Sequence, residues 1–176
     1  CDLYPLKAEI AKQGSTHESV IEQTDIGGPT MLRSGAKGGR ITVCDPSDRT
    51  KVVEWLKAGE PEKENFIQML RAKAEFVIAD YVLTSAQYHG KGIYDGFTGG
   101  MIAECKYGEN AYQTPARVYT KFTADPLSLD KFTLIAGSAP SYNNWCDVDR
   151  MLQTATHIAG GFDKNYGKVP LIALSV

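Results

Sequence analysis

Hydrophobic positions recur at three- and four-residue intervals over much of the chain, and the longest such run sets Phe66, Ile67, Leu70, Ala74, Val77 and Ile78 on one helical face. The run continues through Ala79, Val82 and Leu83, which predicts a helix from the start signal Glu60-Pro-Glu-Lys-Glu64 to about Ala86. A second stripe, Val148, Met151, Leu152, Ala155, Ile158 and Ala159, predicts a helix capped by Asp147 and closed by Gly160 and Gly161. Shorter helices carry clearer start signals than stripes. Ser15-Thr-His-Glu18 has the spacing of a capping box and opens a helix through Val20 and Ile21 to near Thr24. The stretch Asp25-Ile-Gly-Gly-Pro-Thr-Met-Leu-Arg-Ser-Gly-Ala-Lys37 reads as a glycine turn entering a helix at Pro29, where proline's missing N–H costs nothing. Asp45-Pro-Ser-Asp48 caps a further helix carrying Val52, Val53 and Leu56, with Gly59 beyond its end.

Between these helices, short apolar runs predict strands over residues 40–44, 117–122 and 132–136, and again over the closing run Val169-Pro-Leu-Ile-Ala-Leu-Ser-Val176. The opening Cys1-Asp-Leu-Tyr-Pro5 is strand-like as well. Alternating helices and strands without an internal repeat define an α/β pattern. The segment Tyr88-His-Gly-Lys-Gly-Ile-Tyr-Asp-Gly-Phe-Thr-Gly-Gly100 holds five glycines and predicts a domain boundary, dividing the chain into residues 1–100 and 101–176. A start at Cys1 without an initiator Met and an end on an apolar run give the expectation that both ends lie inside a longer architecture.

Composition narrows the function classes. Of the 176 residues 43% are hydrophobic and 23% charged, and 19 basic against 21 acidic groups leave a formal charge of -2. Such a balance gives no sequence-independent pull toward a phosphate backbone or an anionic bilayer, so dedicated nucleic-acid or membrane-surface binding is disfavoured. No apolar run approaches the roughly 20 residues that span a bilayer, and no charged, then apolar, leader opens the chain. The four cysteines, Cys1, Cys44, Cys105 and Cys146, and the three histidines, His17, His89 and His157, are scattered without ligand spacing. That usage predicts a reduced, cytoplasmic protein without a metal site.

Three stretches carry candidate chemistry. Gly27 and Gly28 at a helix N-terminus would let backbone amides and the positive end of the helix dipole meet an anion, and Arg33 and Lys37 follow one turn apart on that helix. The same glycines also suit a tight strand-to-helix turn with a solvated basic face, and the residues alone leave both readings open. Cys105-Lys-Tyr-Gly-Glu-Asn-Ala-Tyr-Gln-Thr-Pro115 packs a cation, phenols, an amide and a carboxylate around a glycine. Gly137-Ser-Ala-Pro-Ser-Tyr-Asn-Asn-Trp-Cys-Asp147 places paired asparagines at a loop-to-helix junction, and each of these stretches alone is also ordinary turn chemistry. Taken together, the residues read as a phosphate-binding α/β protein.

The words and their order resemble a known family. Leu3-Tyr-Pro, Asp25-Ile-Gly-Gly-Pro-Thr-Met-Leu-Arg with Lys37, and Val43-Cys-Asp-Pro46 resemble the latter part of the IMP cyclohydrolase domain of the bifunctional AICAR formyltransferase/IMP cyclohydrolase family. Tyr107-Gly-Glu-Asn110 with Gln113 resembles the opening signature of that family's transformylase domain, and Ser141-Tyr-Asn-Asn144 with Asp147 resembles its next one. The resemblance implies the end of a methylglyoxal-synthase-like domain followed by the start of a cytidine-deaminase-like domain. It implies AICAR and formyl-AICAR as ligands, 10-formyltetrahydrofolate as co-substrate and a homodimer. By the same resemblance Tyr4, Asp25 and Lys37 are catalytic, Lys37 as cationic stabiliser or proton donor and Asp25 as the group that orients substrate. Gly27 and Gly28 then present backbone amides, Lys106 and Tyr107 contact the nucleotide phosphate, and Asn144 bonds near its ribose.

Departures from the family pattern fall beside these positions. Asp2 stands where the family has Asn, Gly38 and Gly39 where Asn and often His follow the lysine, Lys106 where it has Arg, and Ala111-Tyr112 where it has Pro-His. Lysine keeps the charge but not the bidentate fork of arginine, and Tyr112 is no base near neutral pH. The family's Lys-His pair is expected just beyond Val176, so residues 1–176 alone are expected to be inactive in formyl transfer. The competing reading is a non-catalytic nucleotide-binding or scaffold module that keeps the fold without the chemistry.

Overall fold

Five helices build the unit Cys1–Thr98: α1 (Leu6–Ala11), α2 (His17–Glu22), α3 (Gly27–Lys37), α4 (Asp48–Lys57) and α5 (Lys63–Gly90). The computed structural model describes residues 1–121 and 125–173. In α5 the apolar spacing seen in the sequence buries Leu70, Ala74 and Ile78, one residue per turn along one face. Helix α3 packs on α5 and buries Leu32 and Ala36, while α1 and α2 supply Leu6 and Val20 to the core. Trp55 of α4 stacks on Phe66 of α5 with ring centroids 4.4 Å apart, and its indole N–H donates to Pro61 O at 2.8 Å. The turn between the two helices is thereby fixed from both sides.

Several local expectations shift. The capping box of α2 is Thr16 with Ser19, one residue beyond the predicted Ser15: Ser19 N donates to Thr16 Oγ1 at 3.1 Å and Thr16 N to Ser19 Oγ at 3.0 Å. Helix α3 begins at Gly27, so Pro29 is its third residue, still within the first turn where no intrahelical acceptor awaits its N–H. Residues 40–44 form no strand. Strand geometry persists only when a neighbouring backbone completes its ladder, and the unit Cys1–Thr98 has no strand to offer.

Val43 O instead accepts from the Cys1 ammonium at 2.7 Å, and a charge cluster follows directly after the segment. Lys73 of α5 donates to Asp45 at 2.7 Å and to Asp48 at 2.5 Å, and Lys51 donates to Asp48 at 2.9 Å. Asp48 is only 2% exposed, so its charge depends on these partners. Hydrogen bonds from Lys73 hold both carboxyls below the usual carboxylate range. Burial opposes the Lys73 charge, yet its bonds to Asp45 and Asp48 outweigh that and push the amine upward. Lys73→Ala is expected to destabilise the unit by about 2 kcal/mol, the scale of a lost hydrogen bond to a charged group. A carboxyl with a depressed folded pKa contributes stability above its unfolded value and loses it as pH falls through the folded one. Urea unfolding should therefore show the gap between the parent protein and Lys73→Ala steady from about pH 5 to 8 and closing below about pH 4.

The unit Gly99–Val176 holds an antiparallel pair, β1 (Gly100–Cys105) and β2 (Ala116–Thr120), in register from Gly100 opposite Thr120 to Cys105 opposite Ala116. An irregularity between Met101 and Ala103 interrupts the ladder. A short 3₁₀ turn at Leu129–Lys131 and helix α6 (Tyr142–Tyr166) follow. β1 lay hidden in the sequence behind the glycines that open it. β2 falls on the predicted strand at 117–122, whose residue 122 lies outside the described residues. Residues 132–136 and 169–173 are not strands, and Leu134, Ile135 and Leu171 are exposed; residues 174–176 of the expected closing strand lie outside the described residues. Helix α6 starts earlier than Asp147 and passes through Gly160 and Gly161, ending in a left-handed Gly167. Its true cap is Ser141, whose Oγ accepts from Asn144 N while Asn144 Oδ1 accepts from Ser141 N. The chain is thus α/β, with a small two-stranded sheet among its described residues and helices as its main mass.

Candidate functional site

Asp25 is the organising residue of the first candidate site. Its Oδ1 accepts from Gly28 N at 2.7 Å and its Oδ2 from Tyr4 N at 3.3 Å, so one carboxylate joins the N-terminus of α3 to the segment before α1. Its own amide donates to the Tyr81 hydroxyl at 2.7 Å, and that hydroxyl donates to Gln23 O at 3.0 Å. Burial raises the Tyr81 phenol above its ordinary value, keeping it in the neutral form that this double contact needs. Tyr81 was not among the sequence candidates. The signal was present in its position, one turn beyond Ile78 on the buried face of α5.

The two glycines therefore differ. A Cβ on Gly28 would lie 2.6 Å from Asp25 Oδ2 and 2.7 Å from a Leu3 methyl, whereas a Cβ on Gly27 would meet nothing within 4 Å. Gly28 is required for close approach of a carboxylate, which already occupies its amide. The Gly27 amide, exposed at the helix start, makes no hydrogen bond among the described residues and is the one positioned for an external acceptor. Beside them is a cavity of about 400 Å³ lined by Asp25, Pro29, Thr30, Tyr81, Ser85 and His89.

Lys37 stands at the other end of α3. Ten helical rises separate it from Gly27, about 15 Å along the axis, so a single ligand touching Asp25 and Lys37 must lie along the helix. Lys37 is exposed and makes no ion pair among the described residues. Arg33, by contrast, is bound to Glu75 of α5 at 3.3 Å and is not the free cation its spacing suggested. Tyr4 is 56% exposed, and its backbone N–H is the group that bonds Asp25.

In the second unit the structure brings the two motif loops together. Lys106 N donates to Pro140 O at 3.2 Å, Tyr142 N to Tyr107 O at 3.1 Å, and Asn143 Nδ2 to Glu109 O at 3.2 Å. The first loop is itself braced by Gln113, whose Oε1 accepts from Asn110 N at 2.8 Å and whose carbonyl accepts from Gly108 N at 2.9 Å. The Lys106 ammonium lies over the Tyr107 ring, 5.8 Å from its centroid. Asn144 Oδ1 is committed to Ser141, which turns its amide N–H₂ into the group available to a ligand. A cavity of about 400 Å³ opens beside Asn144, lined by Ile102, Phe132, Leu134, Trp145 and Val148 among others. The buried indole N–H of Trp145 in this lining has no hydrogen-bond partner among the described residues. Tyr112 is 82% exposed and takes no part in these contacts.

Two mutually braced loops, one of them carrying Lys106, stand beside a small sheet, and a glycine helix start is held by an aspartate. The AICARFT/IMPCHase bienzyme family matches residues 39–167, and the chain belongs to that family. The matched span includes Lys106, Tyr107 and Asn144, whereas Tyr4, Asp25, Gly27, Gly28 and Lys37 precede it. The chain is 36% identical over 162 residues to the bifunctional purine biosynthesis protein PurH of Leuconostoc mesenteroides subsp. mesenteroides, covering 86% of the chain and 30% of that protein. It is 35% identical over 158 residues to PurH of Oenococcus oeni, covering 87% and 31%. Against PurH of Macrococcus caseolyticus it is 37% identical over 153 residues, covering 86% and 29%. The chain spans about 30% of the length of the curated relatives it matches. No helix among the described residues is long and apolar enough to cross a membrane.

Proposed function

We propose that the protein containing this chain makes IMP in two steps of purine biosynthesis, formyl transfer to AICAR followed by ring closure, and that the chain contributes part of each site. The observation that carries the reading is the family match across residues 39–167 together with the meeting of the Lys106–Tyr107 loop and the Asn144 helix start inside it. Residues 1–100 are read as the end of a methylglyoxal-synthase-like cyclohydrolase domain and residues 101–176 as the start of a cytidine-deaminase-like transformylase domain. The co-substrate is 10-formyltetrahydrofolate, the setting cytoplasmic and the assembly a homodimer.

In formyl transfer the 5-amino nitrogen of AICAR attacks the formyl carbon, tetrahydrofolate departs, and the amine gives up a proton. Lys106 and Tyr107 hold the phosphate and the Asn144 amide donates near the ribose, a positioning role. Ring closure joins the carboxamide nitrogen to the formyl carbon and expels water, with negative charge developing on the formyl oxygen. Lys37 stabilises that charge or protonates the leaving oxygen, Asp25 orients the substrate, and the Gly27 amide offers a fixed dipole.

Production of IMP from AICAR and 10-formyltetrahydrofolate by the full-length protein is the test. In the same assay Lys106→Ala and Asn144→Ala are each expected to raise the KM for AICAR by about tenfold or more, the loss of one charged or buried hydrogen bond. Absence of turnover with intact nucleotide binding would support a non-catalytic module instead.

A further inference from the structure

Helix α3 ends where the proposed cyclohydrolase lysine begins, and the last carbonyl before Lys37 is held from outside the helix. Arg71 Nε of α5 donates to Ala36 O at 2.7 Å, and Gly39 N donates to the same oxygen at 3.2 Å. Arg71 is itself oriented by Gln68, which accepts from its Nη1 at 3.2 Å. The other side of the guanidinium meets Gly39, which has φ of 64°: a Cβ there would lie 3.3 Å from Arg71 Nη2. Ala36, the residue before Lys37, is fully buried against α5, whereas Lys37 itself is exposed.

Terminal helix carbonyls fray unless something outside the helix satisfies them, and a frayed last turn would let the Lys37 backbone wander. Ala36 O is therefore the fixed point from which the lysine projects. A planar guanidinium is suited to this task, because its N–H groups hold one orientation while they bond a carbonyl and a side-chain amide together. The left-handed glycine turn completes the arrangement by keeping Cβ atoms away from the arginine.

We propose that Arg71 is a positioning residue for the cyclohydrolase step, acting through the Ala36 carbonyl to fix the place from which Lys37 reaches substrate. This rests on the reading of Lys37 as the cationic group of that step. Arg71→Ala in the full-length protein is expected to lower cyclohydrolase kcat by about tenfold, with KM for formyl-AICAR within about twofold and formyl transfer unchanged. Arg71→Lys, which retains a donor but not the fork, should fall between the parent protein and Arg71→Ala.

The decisive measurement is the double variant. If Arg71 works through Lys37, Lys37→Ala/Arg71→Ala should be no slower than Lys37→Ala alone, whereas independent effects would multiply. Multiplied losses, an unchanged kcat in Arg71→Ala, or equal loss of both activities in Arg71→Ala and Arg71→Lys would each overturn the positioning role. A Lys37→Ala protein with full activity would overturn the underlying reading of the lysine as well, and so separates the two failures.

Discussion

Lys37→Ala in the full-length protein is expected to reduce cyclohydrolase turnover by about a hundredfold, the lower end of what a positioned proton donor or charge stabiliser contributes. The structure predicts little cost in stability. Lys37 is exposed at the last position of α3, makes no ion pair among the described residues, and leaves the buried contacts of Leu32 and Ala36 untouched when truncated. Its loss should therefore leave the melting temperature nearly unchanged. Formyl transfer, assigned to the other unit, should persist. Steady-state rates with formyl-AICAR as substrate check the first point, and the same preparation assayed with AICAR and 10-formyltetrahydrofolate checks the second. Loss of both activities together would mark a folding defect and remove the assignment.

The second large effect concerns neighbouring glycines that the sequence presents as equivalent. Gly28→Ala forces a methyl into the Asp25 carboxylate and a Leu3 methyl, both closer than 3 Å. Overpacking of this kind costs typically about 1–3 kcal/mol, and here relief requires moving the carboxylate that also holds Tyr4 N. A loss of about 2 kcal/mol and of cyclohydrolase activity is expected. Gly27→Ala meets open space at the first helical residue and should be neutral or stabilising by up to about 1 kcal/mol. Chemical denaturation of the two variants side by side decides the matter. Equal destabilisation would mean that Gly28 is not held as closely to Asp25 as its 2.7 Å hydrogen bond indicates.

How much of this could be read from residues alone depended on whether the controlling interaction was local. Helices α2, α3, α4 and α5 were each legible, because capping groups and a 3.6-residue apolar period act within a few positions of themselves. The predicted strand at 117–122 found a partner in β1, but those at 40–44 and 132–136 failed for the converse reason. Ile41-Thr-Val and Phe132-Thr-Leu-Ile have suitable side chains, but a strand also needs a partner backbone, which composition cannot announce. In α6 a functional motif obscured a structural one: Ser141-Tyr-Asn-Asn144 reads as a family signature with Asn144 near the ribose, and Ser141 and Asn144 also form the capping box that starts the helix. The candidate site was legible as a set of residue types and not as geometry. Nothing local reveals that Tyr81, 56 positions away, holds the Asp25 amide, or that Glu75 occupies Arg33.

Helix α3 carries Asp25 just before its first turn and Lys37 at its last residue, and this makes chain length, apart from residue identity, a heritable constraint. Inserting one residue anywhere between Thr30 and Ser34 would advance Lys37 by about 1.5 Å and swing it by about 100°. It would also rotate Leu32 or Ala36 off α5 and uncouple the carbonyl that Arg71 holds. An insertion between Ile93 and Gly96, where the backbone is exposed and outside any helix or strand, would do none of this. A substitution at an exposed α3 position such as Thr30 or Met31 leaves that spacing intact, while an insertion or deletion within the helix does not.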